Sequence, residues 1–391
     1  MIKKCIIPVI LLLIFFGCYA QNTILTGAQN TDSYLSLLKN KQVALVVNQT
    51  STIGNTHLVD SLLKLKINIK AIFAPEHGFR GNADAGEHVD NTKDQATGLP
   101  IISLYGKNYK PSKEQLEGIE VVVFDIQDVG ARFFTYISTL HYVMEACAEK
   151  KIKLLVFDRP NPNGNYVDGP VLDLKFKSMV GMHPVPVVHG LTMGEYAQML
   201  NGEKWLKDGL RCNLKVIKCV NYTHKLNYVA PIKPSPNMPN NVAIKLYPSL
   251  CLLEGVEQAS LGRGTTYPFQ VYGGLQPTFG TFTFTPMPIV GMDKNPKFKG
   301  KVCYGKDLRN SADTAQGFTL KYVFDMYSKT NDTATFFIKN LFFDKLAGTD
   351  LIRLAIKAGK SEAEIRSAWQ PGLNAFKAIR KKYLLYPDFD E

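Results

Sequence analysis

The 391-residue chain lacks most of the short motifs from which catalytic machinery is usually read. It contains neither GxGxxG nor GxxxxGKS/T, so a dinucleotide or P-loop reading has no phosphate cradle. No GxSxG elbow occurs, which leaves Ser-His-Asp hydrolysis without its strained nucleophile turn. HExxH is absent, and no CxxC pair is present, which excludes zinc ribbons and thiol redox motifs. Of seven cysteines, Cys5 and Cys18 belong to the N-terminal apolar segment. The other five are Cys147, Cys212, Cys219, Cys251 and Cys303. Cys212 and Cys219 are placed either to bridge in an oxidising compartment or to remain buried thiols. Net charge is +12, but apart from 377–382 the basic residues are scattered, so no stripe for nucleic acid exists. No internal repeat or low-complexity tract is evident.

Long apolar runs are also missing, with one short exception. Lys3 and Lys4 precede an apolar stretch from Cys5 to Phe16, followed by Gly17, Cys18, Tyr19 and Ala20. Charged start, short core and small exit residues predict a signal peptide over residues 1–20. The core is too short to span a bilayer as a helix. Cleavage after Ala20 gives a soluble exported protein. Cleavage before Cys18, in a lipobox-like context, gives a lipid-anchored one. The expected location is therefore the periplasm or the cell envelope.

What the sequence has is an alternation of apolar strands and helices. Gln42–Asn48, Ile69–Ala74, Pro100–Tyr105, Val121–Ile126 and Leu154–Phe157 read as buried strands, each a continuous apolar run. Helices are predicted over His57–Lys66, from Ser112 with Gln115 as a capping box, over Phe133–Lys150, and from Thr192 through Leu200. Val185–His189 and Leu214–Cys219 are further strand candidates. This predicts an α/β fold: a Rossmann-like N-terminal domain with a mostly parallel sheet. Four prolines between Pro231 and Pro239 form a stiff connector. The domains expected are 24–240 and, beyond the connector, a smaller α+β domain over 241–391. In the latter, strands are expected within Phe269–Thr285. Helices are expected over Thr319–Ser328, Asp350–Ala358 and Ser361–Tyr383.

Polar clusters follow the strands, on the rim where open α/β sheets bind ligands. Pro75 ends the second strand, and Glu76, His77 and Arg80 follow at once. A glycosidase needs a carboxylic acid in an apolar setting, and Phe73, Pro75 and Phe79 offer one to Glu76. The alternative is a solvated Glu76 paired with Arg80. His57, His77 and His88 with Asp84 and Glu87 offer metal-type donors without a ligand spacing, or serve to orient Glu76. Asp125, Asp128 and Arg132 follow the fourth strand; one carboxylate reads as a nucleophile or general base, and Asp125 alternatively as a helix cap. Asp158 and Arg159 read as a site or as an internal ion pair. Arg263 lies between two glycines, where a backbone can approach a ligand.

Six segments carry a family resemblance. APEHGFRG at 74–81, DIQDVGARFFTYISTL at 125–140, FDRPNPNG at 157–164, SPNMP at 235–239, LEG at 253–255 and GRGT at 262–265 occur in this order. Together they resemble the NamZ-like exo-β-N-acetylmuramidases over nearly the whole mature chain. The resemblance implies an exported bacterial glycosidase that releases N-acetylmuramic acid from the non-reducing ends of peptidoglycan fragments. It implies an active site in the cleft between the two domains, with no cofactor and no metal. Glu76 would be the catalytic acid, with His77 and Asp128 beside it. Asn48, Arg80, Gln127, Arg132, Tyr136, Asp158, Arg159, Asn161, Asn237, Glu254 and Arg263 would line the cleft. The lactyl carboxylate of muramic acid calls for a guanidinium, and Arg132 or Arg80 is the expected reader. Two other readings stand beside this one: a non-catalytic muropeptide-binding protein, and a metal-dependent hydrolase.

Overall fold

A computed structural model describes residues 23–390 except 77, 80–91, 107 and 316. The expected leader with Cys18, and His77, Arg80, Asp84, Glu87 and His88, lie outside the described residues.

Seven strands form the main sheet: β1 Gln42–Val47, β2 Asn68–Ala74, β3 Thr92–Lys93, β4 Pro100–Ser103, β5 Val121–Asp125, β6 Lys153–Phe157 and β7 Asn213–Ile217. Their order is β3-β4-β2-β1-β5-β6-β7, and only β3 runs antiparallel to its neighbour. The six parallel strands thus follow the doubly wound order, with the switch point between β1 and β5. Side chains alternate across the sheet. Ala44, Val46, Val122 and Phe124 enter one core, while Val43, Leu45, Val121 and Val123 enter the other. Two buried faces explain why these strands carry continuous apolar runs.

Helix α1, Leu58–Lys64, covers one face with Leu58, Val59 and Leu62. His57 caps it: Nδ1 accepts from the Val59 amide at 3.2 Å, so Nε2 carries the proton and donates to Asn48 O at 2.9 Å. Helices α2, Tyr136–Lys150, and α3, Met193–Gly202, cover the other face; Thr192 and Glu195 form a complete capping box on α3.

Three local expectations fail. Ser112 and Gln115 exchange capping bonds, yet 112–118 makes only turns, because Gly118 takes a left-handed φ of 71° and ends the segment. Val185–His189 is not a strand; Val188 makes only isolated bridges to Ala131 and Asp168. Helix α2 starts three residues late, because Phe133 and Phe134 turn their rings onto Tyr247 at 5.2 and 5.9 Å.

The C-terminal part opens with α4, Asn241–Leu250, a helix hidden in the sequence by Pro248 in its last turn. Strands β8 Val271–Gly274, β9 Phe282–Phe284 and β10 Cys303–Asp307 form an antiparallel sheet in the order β8-β10-β9. Helices α5 Lys321–Lys329, α6 Phe342–Ala347, α7 Leu351–Lys357 and α8 Glu362–Lys381 complete it. Helix α8 returns to the N-terminal part: Arg380 donates to Gly190 O at 2.9 and 3.1 Å and grips Asp388 at 2.7 and 2.8 Å. Beyond it, Tyr386 donates to Asp158 at 2.6 Å. One continuous apolar cluster runs from Ala44 to Phe376. All five described cysteines are free and buried, so Cys212 and Cys219 do not bridge; Cys212 hydrogen-bonds Cys147 instead.

Candidate active site

Glu76 follows the end of β2 and lines a cavity of about 340 Å³. Two hydroxyls hold its carboxylate. Thr135 Oγ1 donates to Oε2 at 3.1 Å, and Tyr105, just after β4, hydrogen-bonds the same side chain. Burial, then the charge of Glu76, raises the Tyr105 phenol well above its ordinary pKa, which keeps it a donor. The single Tyr136 hydroxyl proton is shared between Glu76 O at 3.5 Å and Pro234 O at 3.4 Å, on either side of the cavity.

Aromatic rings form much of the wall. Phe134 meets Tyr136 at 4.9 Å, and Tyr247 meets Phe133 at 5.2 Å and Phe269 at 4.9 Å, all edge to face. The rest of the polar lining comes from the connector and the C-terminal part. Asn237 donates through Nδ2 to Met292 O at 2.9 Å, which fixes the amide orientation; its buried Oδ1 has no hydrogen-bond partner among the described residues. Arg263 donates from Nε at 2.7 Å and Nη2 at 2.6 Å to Glu254 Oε1 and lies 4.9 Å over Phe269. Gly262 and Gly264 flank it at φ values of 74° and 77°, and a Cβ on either would strike Val271 or Pro296 at 2.6 Å. The turn that presents this guanidinium therefore requires both glycines.

Five of the expected site residues line the cavity: Glu76, Tyr136, Asn237, Glu254 and Arg263. Seven others do not, for stated reasons. Asn48 closes the end of β1 on itself, its Oδ1 accepting from Thr50 N at 2.9 Å and Thr50 Oγ1 at 2.6 Å. Gln127 donates to Asp128 O and Pro160 O, both at 2.8 Å. Arg132 is fully buried and donates to three backbone carbonyls: Pro170 at 2.9 Å, and Val185 and Leu346 at 2.8 Å. It ties the 181–190 segment to α6 from outside the cavity lining, with Nε unpartnered among the described residues. Asp158 caps α3 through Gly194 N at 2.8 Å and Thr192 Oγ1 at 2.7 Å. Arg159 pairs with Asp125 inside the fold. Asn161 bonds Leu191 O and Asn163 N, and packs where a Cβ on Gly130 would strike it at 2.3 Å.

Asp128 is the catalytic candidate that moves furthest from its expected role. It is buried away from the cavity lining, with Oδ2 accepting from Gly130 N at 2.6 Å and Oδ1 unpartnered among the described residues. Burial pushes its carboxyl up to about 7, against the pull of the Gly130 and Val129 amides. His189 Nε2 lies 3.9 Å from it, and burial with the Arg380 and Arg132 charges holds that imidazole down to about 3. The switch point is thus sealed by its own polar residues, and the cavity opens beside it, over the ends of β2 and β4.

Sequence reasoning missed Tyr105 and Thr135. Tyr105 closes the apolar run of β4, where it reads as one more aromatic strand residue. Thr135 lies within a quoted motif and is marked only by the late start of α2, which no periodicity reveals.

The N-terminal model of the exo-β-N-acetylmuramidase NamZ family matches residues 43–242, and the C-terminal model matches residues 245–386. The chain belongs to the NamZ family. It is 36% identical over 378 residues to the peptidoglycan β-N-acetylmuramidase NamZ of Bacillus subtilis (strain 168), covering 90% of this chain and 89% of that one. Two crystal structures from Bacteroides fragilis NCTC 9343, both described as DUF1343 family proteins, share the fold. One superposes with a TM-score of 0.87 at 48% identity, covering 94% of this chain and 99% of its own. The other gives 0.81 at 30% identity, covering 93% and 99%. Glu76, Thr135 and Tyr136 fall in the segment matched by the N-terminal NamZ model, and Glu254 and Arg263 in that matched by the C-terminal one. One NamZ cavity draws on both.

Proposed function

We propose that this protein is an exo-acting β-N-acetylmuramidase that removes N-acetylmuramic acid from the non-reducing ends of peptidoglycan fragments, with Glu76 as the general acid. One observation carries the reading. A carboxylate clamped by Tyr105 and Thr135 sits on the wall of a cavity of about 340 Å³. Ligand pockets span about 300–1,000 Å³, so this one suits a single sugar ring at a chain end. The B. subtilis relative, a peptidoglycan β-N-acetylmuramidase, supports the same substrate.

The chemistry follows from the lining. The aromatic wall takes the C–H face of the ring, and the unpartnered Asn237 Oδ1 accepts the acetamido N–H. Glu76 gives its proton to the glycosidic oxygen as the C–O bond breaks, and water supplies the new oxygen on the anomeric carbon. The N-terminal sequence supports export, to the periplasm or to a lipid anchor at Cys18; mass spectrometry of the mature N-terminus tests this, finding either a modified Cys18 or a free Gln21.

Hydrolysis of 4-nitrophenyl β-N-acetylmuramide by wild type and Glu76→Gln tests the activity. Wild type cleaves, with or without EDTA. The variant loses about 10²–10⁴-fold in kcat while keeping its circular dichroism spectrum and melting temperature. A wild type that binds the sugar without turnover makes the protein a muropeptide-binding protein instead, and an EDTA-sensitive wild type makes it a metal-dependent hydrolase.

A further inference from the structure

The geometry points to Arg263 as the group that reads the lactyl carboxylate of muramic acid, through the end of its guanidinium fork that Glu254 leaves open. This inference rests on the muramidase reading and specifies how the sugar is chosen.

Muramic acid differs from glucosamine by a lactyl ether that carries a carboxylate. A site that prefers it must offer a cation. Among the described residues lining the cavity, Arg263 is the only Lys or Arg. The sequence offers Arg132 or Arg80; Arg80 lies outside the described residues, and Arg132 directs both terminal nitrogens to backbone carbonyls outside the cavity.

A guanidinium presents two edges that match a carboxylate. One is the side edge, Nε with Nη2; the other is the end edge, Nη1 with Nη2. Glu254 occupies the side edge through a single oxygen, Oε1, at 2.7 and 2.6 Å. Among the described residues no hydrogen bond is made by Nη1, so the end edge is open to a second carboxylate. Glu254 thus orients the fork without consuming it. Three further features fix the group in place: the Phe269 ring 4.9 Å beneath it, and the two glycines whose positive φ values shape its turn. A rigid, pre-aimed fork binds a carboxylate without paying again for side-chain ordering. Lysine would keep the charge and lose the fork.

The test compares kcat/KM for three 4-nitrophenyl glycosides in wild type, Arg263→Lys and Glu254→Gln. They are the β-N-acetylmuramide, its lactyl methyl ester and the β-N-acetylglucosaminide. Wild type prefers the free acid over both. In Arg263→Lys that preference shrinks about ten- to a hundredfold. Glu254→Gln, which keeps the guanidinium, retains a preference for the acid over its ester. A preference unchanged in a folded Arg263→Lys, judged by thermal melting, overturns the inference. So does a Glu254→Gln variant that treats acid and ester alike. Should wild type hydrolyse none of the three, the activity reading falls, and the inference is judged by calorimetry. Free N-acetylmuramic acid must then bind wild type more tightly than N-acetylglucosamine, and Arg263→Lys must reduce that difference; equal differences in the two proteins overturn it.

Discussion

Arg159 grips Asp125 with both arms of its guanidinium, Nε to Oδ1 at 2.6 Å and Nη2 to Oδ2 at 2.9 Å. Both side chains are buried at the carboxyl ends of adjacent strands, β5 and β6. A dry, bidentate pair of this kind staples the rim and offers nothing to a ligand. Breaking it from one side leaves a buried charge alone, which costs about 3–5 kcal/mol. Arg159→Met and Asp125→Asn are each expected to destabilise by roughly that amount in urea titrations. Together they should cost clearly less than the sum. Additive losses would remove the coupling argued here.

The clamp on Glu76 predicts a different signature. Tyr105→Phe and Thr135→Val each remove one hydroxyl from the carboxylate. Each should lower kcat about tenfold or more with little change in KM or melting temperature, since neither removes cavity volume. A variant that raises KM alone would place its hydroxyl on the substrate and not on Glu76.

Arg132 should behave as a fold residue. Arg132→Met takes the donor from the buried Pro170 and Leu346 carbonyls, while Val185 O keeps the Leu172 amide at 3.0 Å. Each unsatisfied group costs about 1–3 kcal/mol, so the loss of stability should be severe. In any surviving folded fraction, the preference for muramide over glucosaminide should be that of wild type. Changed selectivity in that fraction would return Arg132 to the site.

Asp128 sets a pH dependence with a definite sign. Its folded carboxyl titrates at about 7, against an ordinary value of 3.8. Between these values the folded state holds a proton that the unfolded chain has released, so stability falls as pH rises. At about 1.4 kcal/mol per unit, the full effect is on the order of 4 kcal/mol. His189 contributes the opposite slope. Its folded value of about 3 lies below the ordinary 6.5, so its share of stability is lost as pH falls through that window. Asp128→Asn removes only the first slope. The variant should gain on wild type between pH 5 and pH 8 in denaturation midpoints; a constant difference would contradict the assignment.

The sheet was legible because its strands are buried on both faces. Val43 to Val47 and Val121 to Phe124 have no polar interruption, and that pattern permits little else. Helix α8 was legible from its amphipathic repeat and basic end; the structure adds a capping box of Ser361 with Glu364. Helix α4 was not, because Pro248 argues locally against a helix that tertiary packing sustains. At the site, the residues that touch the cavity and those that brace its walls share the same motifs. Arg132 and Arg263 look alike in sequence, each an arginine in a glycine-containing motif. Only the three carbonyls around one and the single carboxylate beside the other separate a brace from a reader. Tyr105 and Thr135 carried no signal, because a hydroxyl's aim is decided by elements far apart in the chain.

Two sequence modules meet near residue 243, yet buried hydrogen bonds cross between them. Asp158, Glu195 and Gly190 O find their partners in Tyr386, Leu385 and Arg380, at the far end of the polypeptide. An N-terminal fragment would keep Glu76 and the whole parallel sheet while losing the Arg380 donors to Gly190 O and one donor each to Asp158 and Glu195. The cavity needs Glu254 and Arg263 beside Glu76, so its lining is complete only once the C-terminal module is present.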